Sequence, residues 1–132
     1  MAGIGFYFFY YQPLVNDAMS RSFIKAIEDP CLSHLISGRS SERQERYEEA
    51  MAIYTKGIEL CSEQPALTNL KLHLGSALLK THREGEARKI FDELLALNSN
   101  DAQAHLGLSF YYLQKDDKEE ALRQLRSLVK IT

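Results

Sequence analysis

Four histidines, His34, His73, His82 and His105, and two cysteines, Cys31 and Cys61, are the side chains of this 132-residue sequence best suited to hold a metal or attack an electrophile. Cys31-x2-His34 has a spacing that can reach one ion, but no second ligand pair follows it. Neither His-Glu-x2-His nor Cys-x2-Cys occurs, so no metal site is expected. His73 and His105 read as partly exposed helix residues, and His82, in Thr81-His82-Arg83, as a turn residue. Nothing around Cys61 marks a lowered thiol pKa, and it reads as a small buried hydrophobe. No nucleophile-elbow motif supports Ser-His-Asp chemistry. Gly3-Ile4-Gly5 lacks the third glycine and the strand-to-helix setting of a dinucleotide loop. Glu48-Glu49 and Asp116-Asp117 fall at helix starts or on polar faces, where solvation and the helix dipole account for them. The run Arg39, Glu42, Arg43, Glu45, Arg46, Glu48, Glu49 reads as a solvated helix face with Glu42 and Arg46 as an i, i+4 pair. These residues predict no catalytic group, no metal and no cofactor.

With 16 basic against 18 acidic side chains the net charge is -2, which argues against binding nucleic acid or an anionic membrane by bulk charge. A composition 45% hydrophobic and 26% charged is that of one globular domain with a real core. Two cysteines do not make a disulfide scaffold. The opening run Ile4, Phe6, Tyr7, Phe8, Phe9, Tyr10, Tyr11 is too short to span a bilayer. It has no preceding basic residue and no cleavage site, so it makes a poor secretory signal, although its tyrosines could tether weakly at an interface. The default expectation is a cytoplasmic protein with reduced thiols.

Whatever this chain does must be positioned by helices. From Ser41 onward the periodicity is helical almost without a break. A capping box at Ser41-x2-Gln44 predicts a helix to about Cys61, with Tyr47, Ala50, Met51, Tyr54 and Ile58 inward. Pro65 suits the first position of a second helix to about Thr81. A third runs from Gly85 to Leu97, burying Ala87, Ile90, Phe91, Leu94 and Leu95. Asn100 with Gln103 caps a fourth to about Leu113, and Asp117-x2-Glu120 starts the last. Before Ser41 the pattern weakens: Pro13 to Asp29 is roughly helical, Pro30 interrupts it, Cys31 to Ile36 makes a short turn of helix, and Ser37 to Ser41 predicts a mobile loop. The division expected is a divergent segment over 1–40 and a repeat domain over 41–132.

The repeat is the informative feature. Glu86-Ala87-x3-Phe91 and Glu120-Ala121-x3-Leu125 stand 34 residues apart, and Leu74-Gly75-x2-Leu78 matches Leu108-Ser109-x2-Tyr112 at the same offset. Glu49-Ala50-x3-Tyr54 is a third copy, displaced by 37. A period near 34 implies stacked helix pairs. The sequence resembles the tetratricopeptide repeat (TPR) family, whose pattern is Trp-x2-Leu-Gly-x2-Tyr, Ala-x3-Phe, then Pro. Residues 65–98 and 99–132 follow it, with Lys71 and His105 at the Trp position. In the earliest copy only a second helix, 41–62, is evident. Projection back from Ala50 puts Ser37, Gly38 and Ser41 at the Leu, Gly and Tyr positions, so its first helix is degenerate, displaced into 13–36, or absent.

This resemblance implies an all-α fold, a short right-handed α-solenoid of antiparallel helix pairs whose first helices line a concave groove. It places Asn69, Leu72, Ser76, Leu79, Lys80, Gln103, Leu106, Phe110, Leu113 and Gln114 on that groove. Independently, Leu72 with Leu79, and Leu106 with Phe110 and Leu113, form apolar lines beyond what packing requires. They are core residues of a tightly curled stack, or a site for an apolar peptide or helix of a partner protein, or a seat for the chain's own Ile4 to Tyr11. Family members that clamp acidic chaperone tails use Lys, Asn and Arg where this chain has Leu72, His73, Ser76, Gln103 and Gly107, which argues against that function. The function expected is a non-catalytic adaptor, scaffold or co-chaperone-like module. The alternative is a self-assembling subunit, dimerising through Phe6, Phe8 and Phe9 or through Leu122, Leu125 and Val129.

Overall fold

Pro30 opens a helix because its fixed φ and missing N–H suit the first turn, and the Asp29 carboxylate accepts the Cys31 N–H at 2.9 Å. In this computed structural model the described residues are Arg21, Ile24, Glu28 and 29–131. The aromatic run with Phe6, Phe8 and Phe9 lies outside them, as do most residues of the helix expected over 13–29. Helix α1 (Pro30–Arg43) is followed by α2 (Tyr47–Leu60), α3 (Ala66–Lys80), α4 (Glu84–Leu97), α5 (Ala102–Gln114) and α6 (Lys118–Ile131). No strand occurs among the described residues.

Three expectations near the start are corrected. Ser37 to Ser41 is not a loop but part of α1. Ser41 caps nothing: it is buried within the last turn of α1, and α2 begins six residues later without a side-chain cap. Intrinsic propensity misleads here because Gly38 lies against the Tyr54 ring, a packing gain that offsets the roughly 1 kcal/mol a helical glycine costs. Glu42 does not pair with Arg46. It accepts the Tyr54 hydroxyl at 2.7 Å and lies 3.7 Å from Lys80, while Arg46 reaches Glu49.

Further along, Asp101 rather than Asn100 caps α5, accepting the Ala104 N–H, and Asp117 caps α6 as expected, accepting the Glu120 N–H. Pro65 precedes α3 as its N-cap instead of occupying the first turn. Cys31 and Cys61 are not free thiols: they form a disulfide across a Cα separation of 5.0 Å. That bond ties the start of α1 to the end of α2.

The turns within the pairs show that all three pairs are repeats of one unit. Each passes through one left-handed residue, Glu45, His82 or Asp116, with φ of 60°, 60° and 58°. Each is closed by the next N–H reaching five residues back, Arg46 to Ser41, Arg83 to Leu78 and Asp117 to Tyr112, at 2.9, 2.8 and 2.8 Å. The positions keep the 37 and 34 offsets of the sequence repeat. The first repeat therefore has its first helix, and α1 is it.

Every helix packs on the next, and α3 also touches α1 and α5, whereas α2 does not reach α4 and α4 does not reach α6. First helices thus stand closer together than second helices, so the stack curves with α1, α3 and α5 on its inner side. Phe91 of α4 fills the gap between α3 and α5, because Gly75 and Gly107 carry no Cβ to meet its ring. Around it Ala77, Leu78, Ala87, Leu94, Ala104 and Leu108 form one core cluster, and Ala50, Tyr54, Leu70 and the disulfide form another.

Candidate functional site

A cavity of about 530 Å³ opens on the inner side between α3 and α5. Helix α3 contributes Ser76, Leu79 and Lys80; helix α5 contributes Gln103, Leu106, Gly107, Phe110, Leu113 and Gln114. The i, i+3, i+4, i+7 spacing of α5 puts Gln103, Leu106, Gly107, Phe110 and Gln114 along one face. Gly107, expected from sequence only at a position where other family members clamp acidic tails, also lines the cavity. Its spacing within that face was the signal, and its role is to let the helix sit down on Phe91.

The ten groove residues expected from sequence do not all share one environment. Eight surround the cavity, Asn69 is exposed outside it, and Leu72 packs against the core. Leu79 is also a core residue, 7% exposed, so its side chain forms floor rather than contact surface. Phe110 and Leu113 are different: they are 52% and 49% exposed at the cavity. Amides rim this apolar patch, and Gln114 Nε2 donates to the Leu79 carbonyl at 3.3 Å, fixing one edge. The one cation among the lining residues, Lys80, lies 3.7 Å from Glu42 and 5.6 Å from the Tyr47 ring centroid. The site is accordingly an apolar surface with neutral polar edges.

Toward α1 the inner side carries a polar cluster that sequence did not reveal. Glu42 accepts from Tyr54 and lies 3.9 Å from His73, whose ring stacks on Tyr54 at 5.6 Å between centroids. Burial, reinforced by the bond to Glu42, holds the Tyr54 phenol far above its usual range. Burial also pushes the His73 imidazole below its usual range, outweighing the pull of Glu42. These shifts keep Tyr54 and His73 neutral, as packing groups between α1, α2 and α3.

Elsewhere, His34 Nδ1 contacts the Pro30 carbonyl at 2.7 Å, and Cys31 is spent in the disulfide, so that pair offers no thiolate ligand. No group of three His, Cys, Asp or Glu side chains converges among the described residues. On α6, Leu125 is half-buried while Leu122 and Val129 are exposed.

The sequence profile of the tetratricopeptide repeat matches residues 33–64, which is the α1–α2 pair with the Cys31 edge excluded. A solved structure, MamA MSR-1 C2, superposes with a TM-score of 0.64 at 25% sequence identity, over 85% of this chain and 62% of that one. The chain is a TPR-like repeat protein. No match emerges among the curated proteins. The profile falls on the pair whose first helix looked weakest in sequence, and the geometry of the three turns extends the same unit through α6. This TPR-like chain spans less than two thirds of the length of the MamA structure. Its architecture is that of a protein–protein interaction module, and no helix among the described residues is long and apolar enough to cross a membrane.

Proposed function

We propose that the groove between α3 and α5 docks an apolar segment of another protein, in a non-catalytic adaptor or scaffold role. The observation that carries this reading is the exposure of Phe110 and Leu113 over a preformed hollow floored by Leu79, Leu106 and Gly107. Large apolar side chains grouped in a concavity and edged by amides are the usual makings of a recognition site. Gln103 and Gln114 supply groups that can satisfy a ligand's backbone, and the apolar pair supplies the anchors. With Lys80 already paired to Glu42, an uncharged apolar segment fits better than an acidic tail.

The disulfide bears on where this happens. The cytoplasmic expectation presumed reduced thiols, and a bonded Cys31–Cys61 pair favours an oxidising setting. Selection of peptides from a random display library on the oxidised protein, with counter-selection on Phe110→Glu, tests the groove. Enriched sequences should carry apolar residues at helical or alternating spacing and should not bind the variant. Recovery of peptides that bind both proteins equally would place recognition elsewhere.

A further inference from the structure

The repeat register identifies what covers each second helix. Met51 of α2 is buried in the core beside Leu78 and Leu79 of α3, and its sulfur lies 3.8 Å from the Thr81 hydroxyl. The equivalent residue of α4, Arg88, lies 5.5 and 5.7 Å from the ring centroids of Tyr111 and Tyr112 of α5. Two turns on, Ile58 packs on the cluster containing Leu70, and Leu95 on the cluster containing Leu108. The apolar members of this set, Met51, Ile58 and Leu95, are buried or half-buried against these clusters, whereas Arg88 stays exposed with its guanidinium over the α5 rings. The same positions in α6 are Leu122 and Val129, and they are 50% and 75% exposed.

We infer that this end face of α6 is a stacking surface for a second copy of the chain, with the two α6 helices antiparallel about a two-fold axis. Continuity with the internal repeat interface supplies the apolar stripe, Leu122 of one copy meeting Val129 of the other. Charge supplies the direction. Glu119 stands on the stripe's flank near the start of α6, and Arg126 and Lys130 on the same flank near its end, none of them in an ion pair among the described residues. Antiparallel pairing brings the same flank of both helices together and sets each Glu119 against the other copy's Lys130, whereas parallel pairing turns this flank to the partner's opposite flank and leaves these charges without a complement. This surface is separate from the α3–α5 groove, so its occupancy neither requires nor blocks a groove ligand.

Sedimentation equilibrium of the oxidised full chain over a concentration series tests it. The wild type should show twice the 15.1 kDa monomer mass. Leu122→Glu should weaken the dimer at least about tenfold with an unchanged far-ultraviolet helix signal. Glu119→Lys should weaken it, and adding Lys130→Glu should restore it, a reversal that a merely misfolded variant would not show. The inference is overturned by a wild type that stays monomeric to high concentration, which would leave this face to a helix of some other protein. A dimer indifferent to all of these changes also overturns it, and would point to the aromatic N-terminal run as the contact.

Discussion

A Cβ built on Gly38 would collide with the Cε1 edge of the Tyr54 ring, so the first helix of the first repeat can meet the second only because position 38 has no side chain. The same relationship recurs between Gly75 and Phe91, where a Cβ would stand 2.8 Å from the ring. In the third pair Ser109 and Leu125 take the two places, and the serine hydroxyl turns back to its own helix, onto the Leu106 carbonyl at 2.6 Å. The close approach of the helices is thus built into each pair by one small residue and one large one.

Gly38→Ala should therefore destabilise the fold by about 1–3 kcal/mol, because the rigid buried Tyr54 ring cannot yield, despite alanine's better helix propensity. Gly85→Ala is the control: nothing lies within 4 Å of its Cβ position, and the change should be neutral or stabilising by up to about 1 kcal/mol. Urea unfolding of both variants at one pH measures the difference.

The three left-handed turns make a second, opposite prediction. Glu45 holds φ near 60° with a side chain that disfavours it. Glu45→Gly should raise stability by roughly 0.5–1 kcal/mol, whereas His82→Gly and Asp116→Gly should gain less because histidine and aspartate tolerate this region better. Thermal unfolding midpoints of the three variants, compared under one buffer, will rank them.

Reduction should cost stability without erasing the repeats. The Cys31–Cys61 bond closes a loop of 30 residues, for which the chain-entropy treatment gives about 3–4 kcal/mol. The Cys31→Ser, Cys61→Ser double variant should lose stability of that order in denaturant. Hydrogen exchange should show the loss concentrated in α1 and α2, with α5 and α6 retaining protection.

Stability should also fall with acid through His73. Its folded pKa is depressed by burial, so below the unfolded value of 6.5 the unfolded chain binds the proton more readily than the native one. The contribution is complete above that pH and is lost as pH falls through 6.5 towards the depressed value. Arg39 and Lys80 act in the same direction as burial, and Glu42 against it. The drop in urea midpoint between pH 7.5 and pH 5.5 should be smaller in His73→Gln than in the wild type.

Much of this was legible from residue spacing. The pairs over 65–132 repeat at 34 residues, and Phe91, Leu94 and Leu108 fall inward as their periodicity requires. The first pair was obscured because Ser37, Gly38, Ser40 and Ser41 resemble a loop in isolation; only Tyr54, thirteen or more residues away, makes them a helix. The disulfide escaped notice because its two cysteines become neighbours only when α1 and α2 fold into a hairpin. The groove was the reverse case. Phe110 and Leu113 stood out as apolar positions beyond packing need, while nothing local distinguished the exposed Phe110 from the buried Leu79 opposite.

We propose the α3–α5 hollow as the recognition surface, and peptide affinity tests it directly. Fluorescence anisotropy with a labelled peptide enriched on the oxidised wild type should give at least about a tenfold weaker Kd for Phe110→Glu, with helicity and unfolding midpoint unchanged. The same peptide should bind Leu122→Glu as tightly as the wild type. Equal affinity for Phe110→Glu would contradict the claim, and so would loss of the fold in that variant, which would make Phe110 a core residue.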